Sequence, residues 1–342
     1  MTRSLIAVSL MAATLVASVF GAASSAAREQ ESWPVKHKLL GKQDGKKVKK
    51  SEDVSGIACT TAGDLPRSCL VIDDNRQDAQ FLKVKDGELV ARDPVKLIDN
   101  TFKGKPLELD GEGIAFAKGR YYVIGSHGHP RDKRRELDPK EDAEEIRARI
   151  FASSQVIRFR PADDENGATD IERSAKLREI IASDRDLVRF VDQRLDDNGL
   201  TIEGIAIKDD RLFAGLRGPV LEGNRAVVVA VDVDALFGGS GTAHRLFRLP
   251  LGEGRGVRDL AGFGEVILIL AGPAADGPGN YAVYSWDGQG ENVKLLSELP
   301  FDPARKPEAL LPLEKNGSKL RVLILFDGDK KGAPTPVKIV AP

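Results

Sequence analysis

Positive charge is not in surplus in this sequence: 51 lysines and arginines face 52 aspartates and glutamates. A nucleic-acid binder would show a basic excess and a basic face, so that class of partner is set aside. Cysteine is scarce as well. Cys59 and Cys69 stand alone with nine residues between them, which is the wrong spacing for a zinc site. Aromatic residues make up 6% of the chain, so a core must rest on Val, Ile and Leu. There is no Gly-x-Ser-x-Gly elbow, no phosphate loop and no His-Glu-x-x-His segment, which leaves several familiar hydrolase and nucleotide routes without support.

The longest apolar run lies at the start. Arg3 is positive, Leu5 to Phe20 are nearly all apolar or small, and Gly21 to Ala27 are small residues that suit a signal peptidase. The run is short for a membrane span and no stop-transfer pattern follows. Residues 1–27 are therefore expected to be a cleaved secretory signal, leaving a periplasmic or secreted chain, residues 28–342, with no membrane span. No cysteine near the cut offers a lipid anchor. The mature chain has 50 basic against 52 acidic residues. Export also gives the cysteines a context. Cys59 ends one expected strand and Cys69 begins the next, so antiparallel pairing brings them opposite each other and a disulfide is expected.

Glycine and proline are plentiful, at 34 and 18, and punctuate the chain with tight turns. Between the turns one phrase recurs. It reads Thr201-Ile202-Glu203-Gly204-Ile205-Ala206 and, earlier, Leu109-Asp110-Gly111-Glu112-Gly113-Ile114-Ala115. Looser copies are Val54-Ser55-Gly56-Ile57-Ala58, Val257-Arg258-Asp259-Leu260-Ala261 and Lys306-Pro307-Glu308-Ala309-Leu310. The anchors Ser55, Glu112, Glu203, Arg258 and Glu308 are 57, 91, 55 and 50 residues apart. A second and often a third apolar strand follow each copy. Repetition at such a step in a β-rich chain predicts an all-β fold, a β-propeller with five countable blades; a sixth would have to hide in the long step. That step carries charged material at Arg131 to Arg149 and a helical rhythm from Ile171 to Phe190, so helical insertions at about 131–190 are expected in the second blade. Val35 to Leu40 alternates like a strand and is expected to complete the last blade. Lys42 to Asp53 reads as an exposed loop.

Strict alternation along the innermost strand sets Ile202, Gly204 and Ala206 on one side and Glu203 with Ile205 on the other. The neighbouring glycine would let backbones approach closely around the axis. Glu112, Glu203 and Glu308 then converge with Ser55 and Arg258, and three close carboxylates need a counter-charge. Arg258 is in the ring, and Arg217 or His127 could reach it from the second strands; the other candidate is a hard cation such as calcium, held by the three glutamates. A further level, at the ends of the second strands, holds Asp74, His127, Arg217, Gly272 and Asp327. These differ from copy to copy, as a ligand site needs. Arg217 suits a carboxylate or phosphate, and His127 suits acid–base work or, with His129, metal ligation.

Asp110-Gly111-Glu112-Gly113-Ile114-Ala115 with Gly125-Ser126-His127, Ile202 to Ala206 with Gly215-Leu216-Arg217-Gly218-Pro219, and Gly256 to Leu260 together resemble a bacterial family, domain of unknown function 3616. The resemblance spans roughly Val54 to Phe326. It implies a β-propeller-like fold in exported proteins and brings no activity. A more distant likeness, carried by the short acidic-glycine phrases, is to phytase and phytase-like esterase propellers, where an acidic channel holds calcium; Ser55 and Arg258 stand here where further carboxylates would strengthen such a site. Three functions compete. One is a propeller binding a small anionic ligand at the channel mouth through Arg217, Arg258, His127, Asp74 and Asp327. The second is a calcium-assisted hydrolase of phosphate or carboxylic esters, with the metal on Glu112, Glu203 and Glu308 and with Arg217 and Arg258 on the anion. The third is a propeller that binds a protein partner by its face or its charged insertion. The lack of an activated nucleophile favours the first.

Overall fold

The five copies of the repeated phrase are the innermost strands of five antiparallel sheets arranged as a β-propeller. The structure is a computed structural model and describes residues 31–131, 135–163, 167–239, 241 and 243–342. The expected signal segment, residues 1–27, lies outside them. Blade 1 runs outward from Val54–Cys59 through Arg67–Asp73 and Asp78–Lys85 to Glu88–Lys96. Blade 2 is Gly111–Ala117, Arg120–Gly125, Val156–Pro161 and Ala168–Ser174. Blade 3 is Thr201–Lys208, Arg211–Leu221, Arg225–Asp232 and His244–Leu249, and blade 4 is Arg255–Phe263, Val266–Pro273, Ala282–Trp286 and Val293–Glu298. Blade 5 has three strands, Lys306–Asn316, Lys319–Asp327 and Thr335–Val340.

Each blade is buried on both faces, so its middle strands read as unbroken apolar runs rather than as a polar alternation. In Arg225–Asp232, Val227, Val229 and Val231 pack toward blade 2, whereas Ala226, Val228 and Ala230 pack toward blade 4. The buried hydrophobics form five clusters, one at each junction between neighbouring blades. The cluster joining blades 5 and 1 contains Val54, Val71, Leu311 and Leu323, which closes the ring.

That closure differs from the expected one. Within the expected segment Val35–Lys36 forms a short strand, and it pairs parallel with Glu88–Lys96 on the outer edge of blade 1 and not with blade 5. Among the described residues no strand pairs with the outer edge of blade 5, and the ring is closed further in. Gly328 N donates to Glu52 O at 2.7 Å, Lys331 N to Ser51 O at 2.7 Å, and Asp53 bridges Asp327. At the other end Arg67, buried in blade 1, donates from Nη1 to Pro312 O at 2.7 Å and from Nη2 to Leu313 O in blade 5. With both ends of the inner strands tied, no shared outer strand is needed. The segment expected as an exposed loop contains a hairpin, Leu40–Asp44 with Lys47–Lys50.

The long step between Glu112 and Glu203 holds helices and not a sixth blade. Helix α1 is Ala143–Ser153 and helix α2 is Lys176–Ser183, with Leu177, Ile180 and Ile181 buried. Ile171, expected in the second helix, is in the outer strand of blade 2, where Ile157 pairs with Arg173 and Val156 with Ser174. Cys59 and Cys69 are cross-strand partners and form a disulfide.

Candidate functional site

All five anchors sit at the same kind of irregularity. Val54 pairs with Asp73 and Gly56 with Ile72, so Ser55 is an extra residue bulged out of the ladder. The same skip falls at Glu112, between Gly111 and Gly113, and at Glu203, between Ile202 and Gly204. It recurs at Arg258, between Val257 and Asp259, and at Glu308, between Pro307 and Ala309. A bulge bends its strand and re-aims a side chain. It also overturns strict alternation: Ile202 and Ile205 pack in one junction, as do Val54 with Ile57 and Val257 with Leu260. In an unbroken strand residues three apart would face opposite sides.

The residue after each bulge governs how closely the strands meet. A Cβ on Gly113 would fall 2.8 Å from Ile205 N and 2.9 Å from Gly204 Cα, and one on Gly204 would fall 2.6 Å from Asp259 Cα. Asp259 fills the same column in blade 4, and its buried carboxylate accepts from Leu260 N and Leu310 N, each at 2.7 Å. Burial raises its pKa well above the usual range, against the pull of these two donors. Asp259 thus ties blade 4 to blade 5, a role the repeated phrase did not reveal.

The bulges bring their side chains into one buried ring at the end where the inner strands begin. Carboxylate oxygens of Glu112, Glu203 and Glu308 lie within 4.8 Å of one another. Arg258, 2% exposed, contacts Glu308 and lies 3.5 Å from Glu203 Oε2. Arg217 reaches in from the second strand and sets Nη1 3.3 Å from Glu203 Oε1. Burial lowers the pKa of Arg258, but Glu203 and Glu308 outweigh it and the net shift is upward. Burial pushes Glu308 up to about 8 against the pull of Arg258. Glu112 has no hydrogen bond or ion pair among the described residues, and it is 8% exposed. Burial raises its pKa well above the carboxylate range, and Glu203, Asp110, Glu308 and Asp74 add to that.

The second level lies at the same end but is not one cluster. Arg217 is fully engaged: Nε donates to Ala274 O at 2.9 Å, and Nη2 donates to Ala275 O at 3.3 Å and to Asp276 Oδ1 at 2.5 Å. By register Ser126, and not His127 as expected, is level with Asp74, Arg217, Gly272 and Asp327. His127 is one residue further on and has no contact with the glutamates among the described residues. Its Nδ1 lies 2.8 Å from Gly125 O, its Nε2 is buried without a hydrogen-bond partner among the described residues, and burial lowers its pKa to about 4. His129 Nδ1 lies 3.0 Å from Pro130 O, and neither histidine joins a potential ligand cluster among the described residues. Asp74 belongs to a second acidic group with Asp53 and Asp73, beside the junction of blades 5 and 1. Asp327 pairs with Lys306 at 3.1 Å. At Gly272 there is no side chain because the ring of Tyr281 fills the place.

At the opposite end the same strands make an apolar mouth. Ile57, Ile114, Ile205, Leu260 and Leu310 follow two residues after the five anchors, and none exceeds 3% exposure. Below them opens a cavity of about 170 Å³ whose lining includes these five side chains, Phe116 and Phe263.

Solved structures resemble this one at the level of fold. An exo-β-1,3-galactanase of Phanerochaete chrysosporium with galactose is 9% identical, with a TM-score of 0.45, over 90% of this chain and 64% of that one. The chain thus spans under two-thirds of the galactanase's length. A putative 6-phosphogluconolactonase of Bacteroides fragilis is 13% identical, with a TM-score of 0.37, over 84% of each chain. No activity is carried over from either, and no curated protein sequence matches. The family expected from the repeated phrases does match, over residues 70–340, and the chain belongs to the family described as "Protein of unknown function (DUF3616)".

Proposed function

We propose that this protein is an exported binding propeller whose polar mouth takes a hard divalent cation of the calcium type between Glu112, Glu203 and Glu308, and that small anionic ligands reach the mouth through that cation. The observation that carries this reading is Glu112, buried, without a partner among the described residues, and close to two more carboxylates. Calcium–oxygen distances of about 2.3–2.6 Å allow two ligands of one ion to stand up to about 5 Å apart, which suits oxygens within 4.8 Å of one another. Arg217 and Arg258 pair with Glu203 and Glu308, and Glu112 is the carboxyl of the three left without a cationic partner among the described residues. Their engagement also argues against either arginine as the anion clamp. The disulfide fits an oxidising compartment, which supports export.

Isothermal titration with calcium and with magnesium, on wild type and Glu112→Gln, tests the reading. Calcium should bind at a single site in wild type and not in the variant. At a hundredfold excess over Kd it should stabilise the wild-type fold by about 2.7 kcal/mol. If neither ion produces heat or moves the melting temperature, and chelator is also without effect, the ring is held by protonated carboxyls alone and the cation reading falls.

A further inference from the structure

We infer that Tyr281 and Arg131 are the residues that hold the ligand, and that the ligand is a small oxyanion, a carboxylate or a phosphate, seated between the cation and these two donors. The inference rests on the cation reading above. Its first support is the exchange at Gly272. The other blades place Asp74, Ser126, Arg217 and Asp327 in this column, whereas a Cβ on Gly272 would fall 2.3 Å from Cε1 of Tyr281. The glycine admits the tyrosine ring. Tyr281 is 5% exposed, and its hydroxyl has no hydrogen-bond partner among the described residues. Arg258, Glu308, Arg217 and Glu203 are the charged groups that act on it. The ring is buried, but the hydroxyl is not among the buried unpartnered atoms, so it reaches solvent at the mouth and is a donor open to a ligand.

Arg131 is the complementary feature. It begins the insertion of blade 2, is half-exposed, and is fixed at both ends. Its carbonyl accepts from Arg149 Nη2 at 2.9 Å, and its Nη1 lies 2.8 Å from Asp276 Oδ2. Asp276 also receives Arg217, which in turn bonds Glu203, so a chain of ion pairs runs from the ring to Arg131. Asp110, Glu203 and Glu112 act on its charge as well. Its other guanidinium nitrogens have no partner among the described residues. An oxyanion bound to a cation keeps outward lone pairs, and a phenol O–H with a planar guanidinium fork supplies the donors that such lone pairs accept from. Arg217 and Arg258 cannot do this without abandoning Glu203 and Glu308.

The test uses the full chain, first titrated with calcium and then, calcium-loaded, with methyl phosphate and with glucuronate. At least one probe should bind the calcium-loaded protein and neither should bind in chelator; which one binds separates phosphate from carboxylate recognition. Tyr281→Phe and Arg131→Met should each weaken that binding about tenfold or more while leaving the calcium titration unchanged. A protein that takes calcium but neither probe, or variants that bind the probe as wild type does, would overturn the inference and leave the cation site standing. Failure of the first titration would remove both.

Discussion

The two mouths of this channel are built by the same five strands, two residues apart along each, yet they solve opposite problems. At the apolar level every blade contributes Ile or Leu, and Ile57, Ile114, Ile205, Leu260 and Leu310 are buried around the axis, with Thr60, Thr61 and Arg67 among the residues that line the cavity below them. At the polar mouth a bulge turns one residue per blade toward its neighbours, and the five have diverged into Ser, Glu, Glu, Arg and Glu. Duplication has therefore kept the geometry of both mouths but the chemistry of only one. The mouth whose residues differ between blades is the one that holds Glu112, without a cationic partner among the described residues, and it is where recognition is proposed.

The comparison can be broken most severely from the polar side. Arg258→Met leaves Glu203 and Glu308 buried without their shared partner and should cost about 3–5 kcal/mol in chelator. Calcium should recover part of that loss, as denaturant unfolding with and without the ion would reveal. From the apolar side, Leu260→Ala should cost about 2–5 kcal/mol by opening a cavity, with the calcium response unchanged. Arg67→Met removes the donors to Pro312 O and Leu313 O that join blade 1 to blade 5, and a loss of about 1–3 kcal/mol is expected.

The pH dependence sharpens the contrast further. Glu308 has its pKa raised from 4.5 to about 8 in the fold, so its contribution to stability is complete below about pH 4.5 and is lost as pH rises toward 8. Asp73, raised from 3.8 to about 7 by burial, acts in the same direction over a lower window. Melting temperature in chelator should accordingly fall across this range in wild type and fall less in Glu308→Gln, while Leu260→Ala should follow the wild-type slope. The smallest expected effect is that of Glu112→Gln. It removes the cost of burying a carboxyl group, to which the neighbouring acids add, and should gain on the order of 1 kcal/mol in chelator while abolishing the calcium response.

Much of the fold was legible because duplication leaves the same words at a regular step. The phrases around Glu112 and Glu203 announce two blades, and the looser ones around Ser55, Arg258 and Glu308 supply three more. The bulges were not legible. A bulge is a property of pairing, visible only when Gly111 and Gly113 are seen opposite Gly125 and Ile124, and a single strand read alone gives alternation. Closure was misread for a similar reason: Val35 to Leu40 looks like a strand, but nothing in its own residues says which edge it joins. Arg67 and Tyr281 act through distant partners, Pro312 and Gly272, and carry no local signal. Asp259 did carry one, as an acidic residue standing in the column of Gly56, Gly113 and Gly204, and it could have been noticed.

The central claim is that five bulged residues form one ring whose carboxylates hold a cation. Crystals grown with manganese in place of calcium, measured for anomalous scattering, test it most directly. The account predicts a single strong peak on the channel axis within bonding distance of Glu112, Glu203 and Glu308. An axis without such a peak, with Glu112 hydrogen-bonded as a neutral acid to Glu203 or Glu308, would contradict it.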